Sequence, residues 1–160
     1  MIRPLKYASY AIVMQEVPDE ISMAFNISGC EHKCEGCHSK YLWNYTGNLL
    51  SEDIKGVIDK YKTLISCVCF MGGEQNINEL YKLCKFVKQT YGFKICIYSG
   101  VSSIDKFSQF INDGVLDYIK IGKYQPECGG LNNPKTNQKM FSIKDKHMTN
   151  ITYLFQQNKM

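Results

Sequence analysis

Between Ile21 and Ser28 the chain alternates. Ile21, Met23, Phe25 and Ile27 fall on one face and Ser22, Asn26 and Ser28 on the other, which predicts a half-buried strand. Upstream, Tyr10–Val13 reads as another strand, with Pro18 and Asp19 turning the chain between them. The period then lengthens. Ile54, Val57, Ile58 and Tyr61 recur at helical spacing behind Ser51, a candidate cap, with Glu52 and Asp53 at the end of the helix dipole that favours anions. Cys67–Met71 is a short apolar run of buried-strand type. Asn76 and Glu79 resemble a capping pair for a helix whose inner face is Ile77, Leu80, Tyr81, Cys84 and Val87. Lys94–Tyr98 is the next strand. Ser102 and Asp105 open a helix through Phe107 and Ile111, and Val115–Ile121 is a further strand. Beyond Tyr124 the pattern weakens into a loop rich in Gly, Asn and Pro over Pro126–Lys139, followed by strands at Phe141–Ile143 and Ile151–Phe155. The repeated strand–helix alternation predicts an α/β fold of βαβ units around a mostly parallel sheet.

Composition narrows the class. The 160 residues fit one domain spanning 1–160, and 44% hydrophobic residues exclude a disordered chain. A net charge of +4 with scattered basic residues predicts no nucleic-acid surface. Apolar runs as short as Cys67–Met71 predict no membrane span, and Met1–Tyr10 lacks the pattern of a secretory signal. Eight cysteines are present, three of them within eight residues. That bunching, without an export signal, predicts a reducing cytoplasmic setting and a metal or redox site rather than a disulfide framework.

The chemistry concentrates in Gly29-Cys30-Glu31-His32-Lys33-Cys34-Glu35-Gly36-Cys37-His38, directly after the strand ending at Ser28. Three thiolates at C-x3-C-x2-C spacing are soft ligands suited to iron–sulfur or zinc. As ligands of a 4Fe–4S cluster they leave one iron open for a substrate or cosubstrate. With His38 they make instead a closed four-ligand zinc knot, the mark of a zinc-stabilised interaction module. Three further segments bear on the choice: Met71-Gly72-Gly73-Glu74, Tyr98-Ser99-Gly100 and Lys120-Ile121-Gly122-Lys123-Tyr124. Each follows the C-terminal end of a predicted strand, the edge at which open α/β sheets and β/α barrels bind ligands. Paired glycines admit a close ligand, and Glu74 offers a carboxylate to an ammonium group.

The ordered set of C-x3-C-x2-C and Gly-Gly-Glu on a β/α scaffold resembles the radical S-adenosylmethionine superfamily. Within it, Ser28-Gly29-Cys30-x-His32-x-Cys34-x-Gly36-Cys37-His38, with Trp43 shortly after, is similar to the activating proteins of anaerobic (class III) ribonucleoside-triphosphate reductase. Glu16–Ser22 resembles that family's lead-in to the first strand, and Gly129–Asn132 through Thr136–Lys139 resembles the late loop of one subgroup. The resemblance implies that Cys30, Cys34 and Cys37 hold a 4Fe–4S cluster and that S-adenosyl-L-methionine is the cosubstrate. It implies reductive cleavage to a 5′-deoxyadenosyl radical, which abstracts hydrogen from a glycine of the partner, the large glycyl-radical subunit of anaerobic ribonucleotide reductase. A one-electron donor such as flavodoxin is implied as a second partner. Gly72, Gly73 and Glu74 would receive the methionine end, Gly36 and His38, which flank the third cysteine, would lie near the cosubstrate, and Ser99 and Lys120 would lie at the same edge. No general acid or base is implied, because the hard step belongs to the cofactor.

A complete eight-fold barrel takes ~200 residues or more. This chain is shorter, so the expected form is an incomplete, laterally open radical-SAM barrel, suited to a polypeptide substrate. An activase of another glycyl-radical enzyme, of formate-lyase type, stays open as an alternative. Cys67, Cys69, Cys84 and Cys96 read as small core hydrophobes. Cys128 sits in the late loop, and Lys82, Lys85 and Lys88 read as a solvated helix face. His32 either orders the ligand loop or touches the cosubstrate.

Overall fold

A computed structural model describes residues 2–37 and 39–156. Eight strands form one sheet in the order β3-β1-β2-β4-β5-β6-β7-β8. They are β1 Lys6–Val13, β2 Ser22–Ile27, β3 Asn48–Leu49, β4 Cys67–Met71, β5 Lys94–Tyr98, β6 Tyr118–Ile121, β7 Lys139–Lys144 and β8 His147–Asn150. Three helices accompany them: α1 Leu50–Tyr61, α2 Ile77–Tyr91 and the short α3 Ser108–Asn112. Among the described residues no helix is long and apolar enough to cross a membrane.

The sheet is mixed rather than mostly parallel. The pairings β2–β4, β4–β5 and β5–β6 are parallel, and the four flanking pairings are antiparallel. The βαβ alternation does build a parallel centre, as the helical spacing predicts. The correction comes from the edges, where all four pairings are antiparallel; at β1–β2 and β7–β8 the connection is too short for a parallel crossover. At one edge, Asp145 and Lys146 link β7 to β8, both at positive φ (52° and 68°), the conformation a two-residue hairpin needs. The predicted strand at Ile151–Phe155 is instead a 3-10 turn over Thr152–Phe155, and the last strand precedes it.

Both faces of the central strands are covered, which explains their near-continuous apolar runs. One face packs Met23, Phe25, Val68, Phe70, Ile95 and Ile97 under Ile54 and Ile58 of α1 and Leu80, Cys84 and Val87 of α2. Each such large side chain contributes about 1.5–3 kcal/mol when fully buried. The other face packs Ala24, Cys67, Cys69 and Cys96 against Val17, Leu131, Met140 and Ile151. Ser22 is therefore fully buried, while Ile21, just outside β2, is 40% exposed, the reverse of the simple alternation.

Helix starts differ in detail from the expected caps. Leu49 rather than Ser51 occupies the N-cap of α1, with no side-chain cap bond, and Asp53 accepts a 2.7 Å hydrogen bond from Tyr7. Asn76 does cap α2, accepting from the Glu79 amide at 3.2 Å. The Glu79 carboxylate reaches across to the Leu5 amide, 2.7 Å away, tying the N-terminal segment to α2. Lys88 is not freely solvated: it pairs with Asp117 at 2.5 Å, and Asp117 also accepts from the Ile95 amide.

Candidate metal centre

The parallel register fixes the site. Asn26, Met71, Tyr98 and Lys120 stand side by side across β2, β4, β5 and β6, one row at the C-terminal end of the sheet. Beyond that row each strand runs into one of the chemistry-bearing segments. The cysteine loop leaves β2 at Gly29 (φ 79°) and is held by backbone bonds from Cys30 N–H to Leu42 O (2.9 Å) and Cys37 N–H to Cys34 O (3.2 Å). The Ser28 hydroxyl closes its base by donating to Thr46 O at 2.6 Å, and the Gln75 side chain donates to Ser28 O at 2.9 Å.

Cys30, Cys34 and Cys37 line one cavity of about 200 Å³ together with Gly72, Glu74, Ser99 and Lys120. Leu42, Trp43, Met71, Tyr98, Tyr124 and Gln138 complete much of its wall. Sequence reasoning did not assign Tyr124 or Gln138 to the site, although both fall in segments it had marked: Tyr124 ends the β6 run and Gln138 belongs to the late loop. A second cavity of about 660 Å³ adjoins the first and shares His32, Gly100, Gly122 and Lys123 with it.

Two predicted residues face elsewhere. A Cβ on Gly36 would come within 2.9 Å of Pro126 and 3.3 Å of Tyr124, so Gly36 is the seat of the late loop rather than part of the cavity wall. A Cβ on Gly73 would meet Ile27 and Leu80 at 3.1 Å, so Gly73 answers to core packing. Gly72 is the one of the pair that lines the cavity, and its N–H continues the sheet ladder to Tyr98 O at 2.8 Å. His38 lies outside the described residues. Ser99 lines the cavity, and its hydroxyl accepts from the Val101 amide at 3.2 Å.

Glu74 dominates the electrostatics. His32 Nε2 lies 2.6 Å from its Oε1, which also accepts from the Gly100 amide at 3.3 Å. Burial pushes the Glu74 carboxyl up, but the hydrogen bond with His32, with smaller help from backbone amides, outweighs it and holds the group below the ordinary carboxylate range. Its other oxygen, Oε2, is buried with no partner among the described residues, as is Trp43 Nε1. Lys120 is 9% exposed, and its ammonium donates to Ser99 O and Gly122 O. Burial lowers its pKa, against the opposing pull of Glu74 and Cys34. Burial likewise raises the Cys30 thiol.

Among the described residues no three His, Cys, Asp or Glu side chains gather as a cage for a single metal ion. A cluster asks for less convergence, because each cysteine ligates a different iron. Three soft thiols lining one cavity, with the orphaned buried carboxylate oxygen of Glu74 in the same lining, fit an iron–sulfur group that leaves room for a cationic ligand. Four of the five remaining thiols are spent on packing. Cys67, Cys69, Cys84 and Cys96 are fully buried, and Cys128 is partly exposed with its thiol on Gln125 at 3.5 Å.

Comparison with known proteins agrees with an iron–sulfur cofactor. The chain is 29% identical over 135 residues to the anaerobic ribonucleoside-triphosphate reductase-activating protein of Enterobacteria phage T4, covering 74% of this chain and 82% of that protein. No solved structure matches. Residues 21–145 match the family described as a 4Fe-4S single cluster domain, a span that includes every cysteine and every strand end of the cavity. The chain belongs to the 4Fe-4S single cluster domain family.

Proposed function

We propose that this protein is a glycyl-radical activating enzyme of the radical S-adenosylmethionine type, acting on the large subunit of anaerobic ribonucleoside-triphosphate reductase. The observation that carries the proposal is the convergence of Cys30, Cys34, Cys37, Gly72 and Glu74 on one cavity at the C-terminal edge of the parallel strands. The activity named for the phage T4 relative supports the choice of target.

When bound, a 4Fe–4S cluster supplies one electron for cleavage of S-adenosylmethionine to methionine and a 5′-deoxyadenosyl radical, which takes a hydrogen atom from a glycine of the reductase. Cys30, Cys34 and Cys37 hold the cluster as thiolates. Glu74 receives the ammonium of the methionine end on Oε2, its one unpartnered oxygen. Gly72 gives the ligand close approach to the backbone, since no heavy atom lies within 3.8 Å of where its Cβ would stand. Lys120 sets a buried positive charge beside the thiols and carboxylate. Leu42, Trp43 and Met71 keep the wall apolar and limit water around a reactive species.

The edge strands β3 and β8 do not pair with one another, so the sheet is open. That openness supports reading it as an incomplete radical-SAM barrel, with residues 1–160 acting as one domain and a polypeptide loop as substrate. A reducing cytoplasm and a small one-electron donor such as flavodoxin complete the proposal. The test is to incubate the reconstituted, reduced protein anaerobically with S-adenosylmethionine and the large reductase subunit. A glycyl radical detected by electron paramagnetic resonance on that subunit supports the proposal. Its absence, with cosubstrate cleavage intact, assigns a different target.

A further inference from the structure

We propose that His32 is the positioning residue for Glu74, and that through this contact the conformation of the cysteine loop sets the affinity for S-adenosylmethionine. The inference rests on the function proposed above. His32 lies between two of the cysteines, 42 residues from Glu74, yet its Nε2 stands 2.6 Å from Oε1. The Gly100 amide, at the end of β5, donates to the same oxygen. Two contacts from separate segments therefore pin one carboxylate oxygen. A carboxylate is planar, so pinning Oε1 also aims Oε2, which stays buried and without a partner in the cavity wall.

Gly100 provides a second, independent observation. Its φ lies outside the left-handed region, so the backbone itself would accept alanine. A Cβ there would nevertheless stand 2.8 Å from His32 Cδ2 and 3.0 Å from Cγ. The absence of a side chain at Gly100 leaves the space in which the imidazole sits to reach Glu74. The node thus joins the loop after β2, the turn after β4 and the end of β5. His32 reaches it only while the Cys30–Cys34 segment keeps its fold, including Lys33 at φ 48°. Because linkage is reciprocal, a ligand that uses Oε2 also favours the loop conformation that presents the thiols.

The test uses anaerobically reconstituted, unreduced protein, so that S-adenosylmethionine binds without turnover. Calorimetry gives its Kd, and iron and sulfide analysis gives cluster content. His32→Ala is expected to weaken binding roughly tenfold, within the ordinary range of coupling between sites, with cluster content unchanged. His32→Gln keeps an N–H donor and should restore most of the affinity. Gly100→Ala should weaken binding by a similar factor. In the His32→Ala background it should add little, because the ring it would displace is gone. Wild-type affinity in His32→Ala overturns the inference. So does a double variant whose loss equals the product of the two single losses, or a loss of affinity that follows loss of iron. A wild-type protein with a full cluster that binds no S-adenosylmethionine overturns the reading of the site itself, and this inference with it.

Discussion

Lys120 Nζ lies 3.0 Å from the carbonyl oxygen of Ser99, so the buried ammonium of β6 caps the end of the neighbouring strand β5. The same ammonium reaches Gly122 O at 3.1 Å and stands 5.6 Å from the centre of the Tyr98 ring. A cation at this depth is costly unless it is bonded and faced by opposite charge. Here two carbonyls supply the bonds, and Glu74 supplies the opposite charge.

Lys120→Met should therefore lose stability by about 1–3 kcal/mol, the range for stranding buried acceptors. Urea unfolding of the cluster-free protein checks this, with a lower midpoint and an unchanged slope expected. An unaltered midpoint would show that the ammonium is not holding the two strand ends.

The cysteines divide into two groups with opposite expected behaviour. Replacing Cys30, Cys34 or Cys37 by Ala should abolish the brown colour and bound iron after anaerobic reconstitution while the fold survives. Cys84→Ala removes a fully buried core thiol. It should keep the cluster and cost about 1 kcal/mol in stability, as core truncations do. Iron analysis and thermal unfolding separate the two groups.

Much of this arrangement is legible in the sequence. The C-x3-C-x2-C spacing, the Gly-Gly-Glu turn and the strand bounds of β4 and β5 can be read from residue order alone, because short apolar runs and turn residues are local signals. Three things are not local. The antiparallel edges depend on which strands neighbour one another, and the Asp145–Lys146 hairpin lacks the glycine that usually marks such a turn. The second core on the Ser22 side of the sheet depends on Leu131, Met140 and Ile151, more than a hundred residues away in the chain. The different duties of Gly36, Gly72 and Gly73 depend on what stands opposite each one, which no spacing rule contains.

Gly36 shows the consequence. Its φ is 71°, and the late loop presses Pro126 to within 2.9 Å of where a Cβ would stand. Gly36→Ala should cost about 1–2 kcal/mol for the left-handed backbone alone, and it should push the late loop off the cysteine loop. Limited proteolysis of 122–138 should then become faster than in the wild type. Equal cleavage rates would show that the loop is held by other contacts.

Glu74 gives a pH dependence of definite sign. Its folded pKa is depressed, so its contribution to stability is fully present above the ordinary value of 4.5 and is lost as pH falls through the folded value. In cluster-free protein, Glu74→Gln should flatten the acid limb of stability against pH in that window. Parallel acid limbs for the two proteins would remove the carboxylate from the account.

The most direct test of the central claim is the formation of 5′-deoxyadenosine by anaerobically reconstituted protein supplied with dithionite and S-adenosylmethionine, compared with Cys34→Ala. The account predicts cluster-dependent product from the wild type and none from the variant. Full activity in Cys34→Ala, or a colourless zinc-loaded wild type that gives no product after reconstitution, would contradict it.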